Sequence, residues 1–327
     1  MGTTRQISEL LSVPETDHDM DWLKDSLDIA IQLEFTTIPP YLTAFWSIKN
    51  KLDPVAKAIR NIFKDEMLHF GIACNLLAGI GGSPLINSAA AVPKYPTALP
   101  GGVAESLIIP LQRLSHEAAD LFMKIEHPEF EPLAVVAAPA TIGEFYTRIQ
   151  SAFETVQPAF KLERQVEGDL GLTKINSSDE AGLAIDKIKL QGEGSKIEPD
   201  GTSGLAHYYR FGEIFHERRI QKNQAGQWHF DGAAFPLPEV FPMAVIPKGG
   251  YLESEVSPET WQLLEGFDRG YTNMLGLLQK TWDNGDPGSL DAAIETMTDL
   301  RTPAVAVMGI PRSSGAGNYG PCFRVEG

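Results

Sequence analysis

The chain has 327 residues, 43% of them hydrophobic, enough to bury the core of one large domain. Its 27 Lys and Arg stand against 43 Asp and Glu, and the net charge of -16 argues against binding phosphate backbones or anionic membranes. The two cysteines, Cys74 and Cys322, offer neither a disulfide framework nor a Cys-x-x-Cys knuckle, so a thiolate-held zinc or iron–sulfur site is excluded. No apolar run approaches the roughly 18 residues of a membrane-spanning helix, and MGTTRQISELLSV lacks a signal core. The expectation is a soluble, cytoplasmic protein with no nucleic-acid or membrane partner.

In chain order, Leu23, Leu27, Ile31 and Ile38 mark a long amphipathic helix over 21–49, interrupted at Pro39-Pro40, where a kink is expected. Asp53-Pro54 opens a second helix that ends at Gly81-Gly82, and the Pro/Gly-rich stretch 83–102 is long enough to cross a bundle end to end. A third helix is expected over 105–126, stopping at His127-Pro128, and a shorter one starts at Thr141. After a polar insert, a helix over 178–191 carries Ala181, Ile185 and Ile188 on one face and stops at Gly192-Glu193-Gly194. GLAHYYRFGEIF follows, then an aromatic, Pro-rich stretch over 226–247 suited to a small strand pair or packed loop. Helices over 258–282 and 289–308 finish the chain. The pattern is mainly α, with no βαβ rhythm and no internal repeat.

The chemistry lies on the first two helices. Glu66 and His69 fall on the apolar stripe made by Ile59, Ile62, Phe63, Phe70, Ala73, Leu76, Leu77 and Ile80, and Glu34 shares a face with Leu27, Ile31 and Ile38. At about 100° per residue, groups three apart share a face, so Glu66 and His69 can reach one ion or two neighbouring ions. A lone Glu on one helix and Glu-x-x-His on the next is half of a di-iron carboxylate bundle site. The bland reading is a buried Glu–His hydrogen bond. The other Glu-x-x-His, Glu213 to His216, is out of phase: with Phe211 facing inward, Glu213 and His216 lie about 140–160° away, against about 40° for His207. They are expected on the outer face or packed against the C-terminal region.

LEFTTIPPYL, DEMLHFGIACNLLAGIGG, PKYPTALPGG, TIGEFY, IKLQGEG and HYYRF, in this order, resemble the bacterial ferritin-like family that includes a domain of the violacein-pathway iminophenyl-pyruvate dimer synthases. The resemblance runs from about Asp21 to the C-terminal GPCF. It implies a ferritin-like four-helix bundle over about 21–222, with long inserts and extra C-terminal helices (223–327) packed on it in a single domain. It also implies a metal site built from Glu34, Glu66, His69, Glu144, Glu193 and His207, the last ligand pair split by an insertion. Bland roles stay open: Glu144 stands three residues after Thr141 as in a capping box, Glu193 suits a solvent-facing loop, and His207 suits a satisfied core histidine. Glu126 is a possible substitute for Glu144.

The leading expectation is a di-iron oxidoreductase or oxygenase, with manganese or zinc as other metals the ligands accept, acting with O2 on a small organic substrate in secondary-metabolite biosynthesis. The alternatives are coupling of two imino-acid units, as in the dimer synthases, and non-catalytic iron binding. The inserts 83–102, 157–177 and 226–256 are expected to act as lids over a substrate pocket, and a homo-oligomer is possible.

Overall fold

The computed structural model describes residues 6–88, 91–102, 107–128, 141–194, 199–201, 204–313 and 315–325. A short helix α1 (Ile7–Ser12) precedes α2 (Met20–Ser47), which Asp19 caps by accepting from the Trp22 N–H at 2.8 Å. α3 (Pro54–Gly79) is capped by Asp53 and opens on a proline, whose missing N–H costs nothing in a first turn. These two helices lie antiparallel and form the larger half of the bundle.

α2 runs through Pro39 and Pro40 as one element, contrary to the expected interruption. Pro40 cannot donate to the Thr36 carbonyl four residues back. The Tyr95 hydroxyl donates to that carbonyl instead, at 2.8 Å, so the group the proline orphans is satisfied from the crossover loop.

The third helix is shorter than its sequence pattern predicts: α4 is His116–Ile125. Glu105 lies outside the described residues, and Ile108–Ile109 instead forms a strand that pairs antiparallel with Thr97–Ala98. Pro110 explains this, because the residue before a proline is pushed out of the helical region. The Leu114 N–H donates to Ser47 Oγ, at the C-terminal end of α2, so residues 80–115 have carried the chain back along the whole of α3.

The other two columns of the bundle are each made of two helices. α4 and α5 (Ile142–Val156) form one, and α6 (Ser178–Gly192) and α7 (His207–His216) form the other. α4 packs on α7 and α5 on α6, so the two columns run antiparallel and break at the same level. Ser115, Thr141 and Ser177 cap α4, α5 and α6.

Three C-terminal helices follow: α8 (Pro258–Asn284), α9 (Pro287–Asp299) and α10 (Arg301–Met308). The single helix expected over 289–308 is broken at Leu300, the residue just before the turn that holds Pro303. The hydrophobic core continues from the bundle into these helices through Trp46, whose ring meets Phe267 at 6.0 Å and Phe323 at 5.9 Å. Between α2/α3 and α8/α9 lies an apolar pocket of about 60 Å³, walled by Phe35, Phe70, Trp282 and the methionines Met67, Met274 and Met297. Of the stretch 226–247, expected to hold a small strand pair or packed loop, Trp228–His229 forms a strand, and its partner Gln221–Lys222 lies before that stretch.

Candidate metal centre

The centre forms where the two unbroken helices pass the gap in the two broken ones. Glu34 comes from the middle of α2, Glu66 and His69 from the middle of α3, Glu126 from the C-terminal cap of α4, and His207 from the first residue of α7. Among the described residues, two groups of side chains are able to hold a metal ion: Glu34, Glu66 and His69, and Glu66, Glu126 and His207. Their ligand atoms lie within 4.8 Å of one another in each group, and Glu66 is common to both.

Each carboxylate has one oxygen held by a hydroxyl and the other turned to the centre. Tyr146 donates to Glu34 Oε1 at 2.5 Å, Thr37 to Glu66 Oε2 at 2.6 Å, and Tyr41 to Glu126 Oε1 at 2.6 Å. The remaining oxygens face the imidazoles. His69 Nδ1 is 3.5 Å from Glu34 Oε2 and 3.6 Å from Glu66 Oε1, while His207 Nδ1 is 2.8 Å from Glu66 Oε1 and 3.7 Å from Glu126 Oε2. Glu66 Oε1 therefore sits between the two histidines, as a bridging carboxylate would.

The outer imidazole nitrogens are held as well. His69 Nε2 lies 2.9 Å from Gln191 Oε1, and His207 Nε2 lies 3.3 Å from Asp65 Oδ2. Metal-bound histidines usually carry such a partner on the nitrogen that does not bind.

The donor set fits a pair of cations. His207 Nδ1 is fully buried and, despite the 2.8 Å approach of Glu66, has no hydrogen bond of acceptable geometry, an orphan that a metal ion would satisfy. Burial works against a charged His69, yet the Glu34 and Glu66 carboxylates lift its pKa to about 10. His207 is likewise raised well above its usual value, by Asp65, Glu126 and Glu66 against its burial. Burial pushes Glu34 and Glu126 up, whereas Glu66, although buried, is held low by His207 and His69. Without metal the two protonated imidazoles supply the positive charge that the carboxylates demand.

A cavity of about 40 Å³ opens from the centre between the broken ends, walled by Leu33, Ile125, Ile142 and Ile188, with Lys189 and Glu193 also lining it. Glycines make the close approaches at this gap. A Cβ on Gly143, in the first turn of α5, would stand 2.2 Å from Glu193 Oε1, and one on Gly192 would stand 3.5 Å from Glu126 Oε2.

Of the residues expected at the site, Glu34, Glu66, His69 and His207 converge, and Glu193 lines the cavity next to them. Glu144 does not belong to either group: it is the third residue of α5, its N–H donates to the Thr141 cap, and the carboxylate at that level comes from Glu126. Glu213 and His216 are also elsewhere. Glu213 is buried, accepting from Arg219 Nη1 at 2.5 Å and the Ile220 N–H at 2.9 Å, and His216 stacks on Phe230. Among the described residues, none from the inserts 83–102, 157–177 and 226–256 lines this cavity; Gly168, Asp169, Leu170 and Leu172 of the second border the apolar pocket instead.

Thr37, Asp65 and Gln191 are functional candidates that the sequence reading missed. Thr37 lies three residues after Glu34, and Gln191 three after Ile188 on the buried face of α6. That second spacing was a legible signal that the apolar stripe ends in a polar group.

A ferritin-like family model matches residues 27–216, more than half of the chain. The protein belongs to the ferritin-like family. Among solved structures, a ferritin-like protein from Caulobacter vibrioides, determined at 1.95 Å, matches with a TM-score of 0.65 and 23% identity. The match covers 93% of this chain and 97% of that one. A search of curated proteins found no match. The family match ends at His216, the last residue of α7, and so covers the four-column ferritin-like bundle and leaves α8 to α10 outside it. Among the described residues no helix is long and apolar enough to cross a membrane.

Proposed function

We propose that this ferritin-like protein holds a di-iron centre and uses O2 to oxidise a small organic substrate. One observation carries the reading: two Glu/Glu/His groups share Glu66, the arrangement that two cations a few ångströms apart require. The ligands would be Glu34 and His69 on one ion, Glu126 and His207 on the other, and Glu66 on both. Three carboxylates against two dications leave one positive charge, which Glu193 at the cavity wall would neutralise. Carboxylate and imidazole donors accept manganese or zinc as well, and availability then selects.

A bound iron(II) pair would supply two of the electrons for O2 reduction and the oxidised substrate the other two; the chain would hold the metals, orient their ligands and shape the approach. Tyr41, Tyr146 and Thr37 orient the carboxylates by holding one oxygen each. The cavity admits O2-sized molecules, and its wall of Ile125, Ile142 and Ile188 offers an apolar organic molecule a dry approach. The resemblance of the sequence motifs to the ferritin-like domain of the iminophenyl-pyruvate dimer synthases makes aromatic imino acids the first substrates to try. We take the bundle and its C-terminal helices as one domain, because the core is continuous between them.

The test is to load the metal-free protein with iron(II) anaerobically, count the iron by elemental analysis, and follow O2 uptake. Two irons per chain with stoichiometric O2 consumption support the reading. Wild-type protein that takes up no metal, or takes it up equally after Glu66→Ala, rejects it.

A further inference from the structure

We infer that Asp65 and Gln191 are positioning residues that lock both histidines through one polar chain, so that the two metal positions are set together. The inference rests on the metal centre proposed above and concerns residues outside its ligand set.

Hydrogen-bond polarity fixes the chain from end to end. Asp65 makes three contacts, with Gln191 Nε2 on Oδ1 at 3.2 Å and with His207 Nε2 at 3.3 Å and Arg210 Nη1 at 3.2 Å on Oδ2. A carboxylate beside an arginine only accepts, so Gln191 must turn its NH2 to Asp65 and His207 must carry its proton on Nε2. The Gln191 oxygen is then left facing His69 Nε2 at 2.9 Å, and it too can only accept. Both imidazoles therefore carry N–H on Nε2, and Nδ1 is in each case the nitrogen that faces the centre, the one that would give up its proton to an ion. No other tautomer satisfies all four groups at once.

The chain also solves a problem of architecture. The fourth column leaves the bundle after Gly192 and returns at His207, so no continuous helix carries it past the ligand level. Asp65, on the unbroken α3, reaches both edges of that gap, Gln191 in the last turn of α6 and His207 in the first turn of α7. A side chain next to the shared ligand Glu66 thus registers the broken column against the continuous one, and tilting Asp65 would move both imidazoles.

The experiment uses the full chain loaded with Zn2+, which is diamagnetic and takes the same ligands, with nitrogen NMR of ¹⁵N-labelled histidine and zinc titration calorimetry. In wild type, both histidines are expected to bind through Nδ1 and to show slowly exchanging Nε2–H signals. Gln191→Met is expected to lose the His69 signal and weaken one zinc by roughly 10- to 100-fold, the usual loss when an outer partner of a metal ligand is removed. Gln191→Glu, whose side chain still accepts, should restore that signal, and Asp65→Asn should weaken both zincs. Ligation through Nε2 of either histidine in wild type overturns the inference without recourse to any variant, as does wild-type affinity in both Gln191→Met and Asp65→Asn. Zinc bound with the variants unaffected defeats the positioning chain alone, whereas a wild type that binds no zinc defeats the metal centre and this inference with it.

Discussion

Two halves of the same bundle meet at the centre and are built differently. α2 and α3 run unbroken past it for 28 and 26 residues, and their three ligands sit in helix interiors. The other two columns stop at the centre and start again, and what they contribute comes from helix ends: Glu126 at the cap of α4, Glu193 at the cap of α6, His207 at the start of α7. The continuous half gives ligands whose direction is fixed by helical phase. The interrupted half gives up that rigidity, and between its helix ends lies a cavity lined by Ile125, Ile142 and Ile188. The cost of exposing helix ends is partly offset in place. The Glu193 carboxylate rests against Gly143 in the first turn of α5, where the positive end of the helix dipole favours it.

The largest test of this division is Glu66→Ala. Because Glu66 Oε1 faces both imidazoles, its removal is expected to take both ions away, from two per chain to near none by elemental analysis. Retention of one ion would mean that the two groups do not share a ligand. Next in size is a contrast within the broken half. Glu126→Ala should drop the metal content to about one ion, while Glu144→Ala should leave it at two, since Glu144 belongs to neither group. The reverse result would return the ligand to the TIGEFY helix.

That contrast also shows what could be read from the sequence. Glu34, Glu66 and His69 were legible because each lies within a long periodic stretch, so one phase angle places them all. The same rule turned Glu213 and His216 away from the site, and His207 toward it. It did not choose between Glu144 and Glu126: the resemblance alone named Glu144, with Glu126 as a possible substitute, because the insert between α4 and α5 breaks the register that would tell which carboxylate ends at the ligand level. Glu126 is the one grouped with Glu66 and His207. The fold was legible for a related reason: the α2–α3 pair has a helical sequence period and the Pro/Gly-rich crossover has none, whereas the third helix, expected from 105, starts only at His116, about three turns later and beyond Pro110. Asp65 stayed hidden because its partners, Gln191 and His207, come from either side of a gap that no helical spacing spans.

A smaller effect follows from charge. In the metal-free protein the carboxylates, against burial, raise His69 to about 10, so the folded state binds that proton more tightly than the unfolded chain, with its usual value near 6.5. The stabilisation this gives is fully present below about pH 6.5 and is lost as pH rises through about 10. His207, shifted in the same direction, adds to it. Thermal melts of the metal-free protein are therefore expected to fall in midpoint from pH 6.5 to 10. The metal-loaded protein, whose imidazoles bind ions in place of protons, should lack that decline, and metal affinity should climb with pH over the same window because each ion displaces protons. Parallel melting curves for the two forms would show that the imidazoles are already neutral without metal.

The smallest effect separates stability from site geometry. Thr141 caps α5, its hydroxyl accepting from the Glu144 N–H at 3.1 Å, and Asp19 caps α2 by accepting from the Trp22 N–H at 2.8 Å. Replacing either by alanine should cost about 1 kcal/mol of stability, the usual value of a helix cap. Their consequences for the metal should differ. Asp19 lies 15 residues before Glu34, about 22 Å along an uninterrupted helix, so fraying there dies out before the ligand. Thr141 stands two residues before Gly143, where Glu193 rests, so fraying of that first turn loosens the cavity wall directly. Thr141→Ala is therefore expected to weaken the second metal measurably by calorimetry while Asp19→Ala, matched in stability loss, leaves both affinities unchanged; equal metal losses in the two would mean that the broken columns hold the centre no less rigidly than the continuous ones.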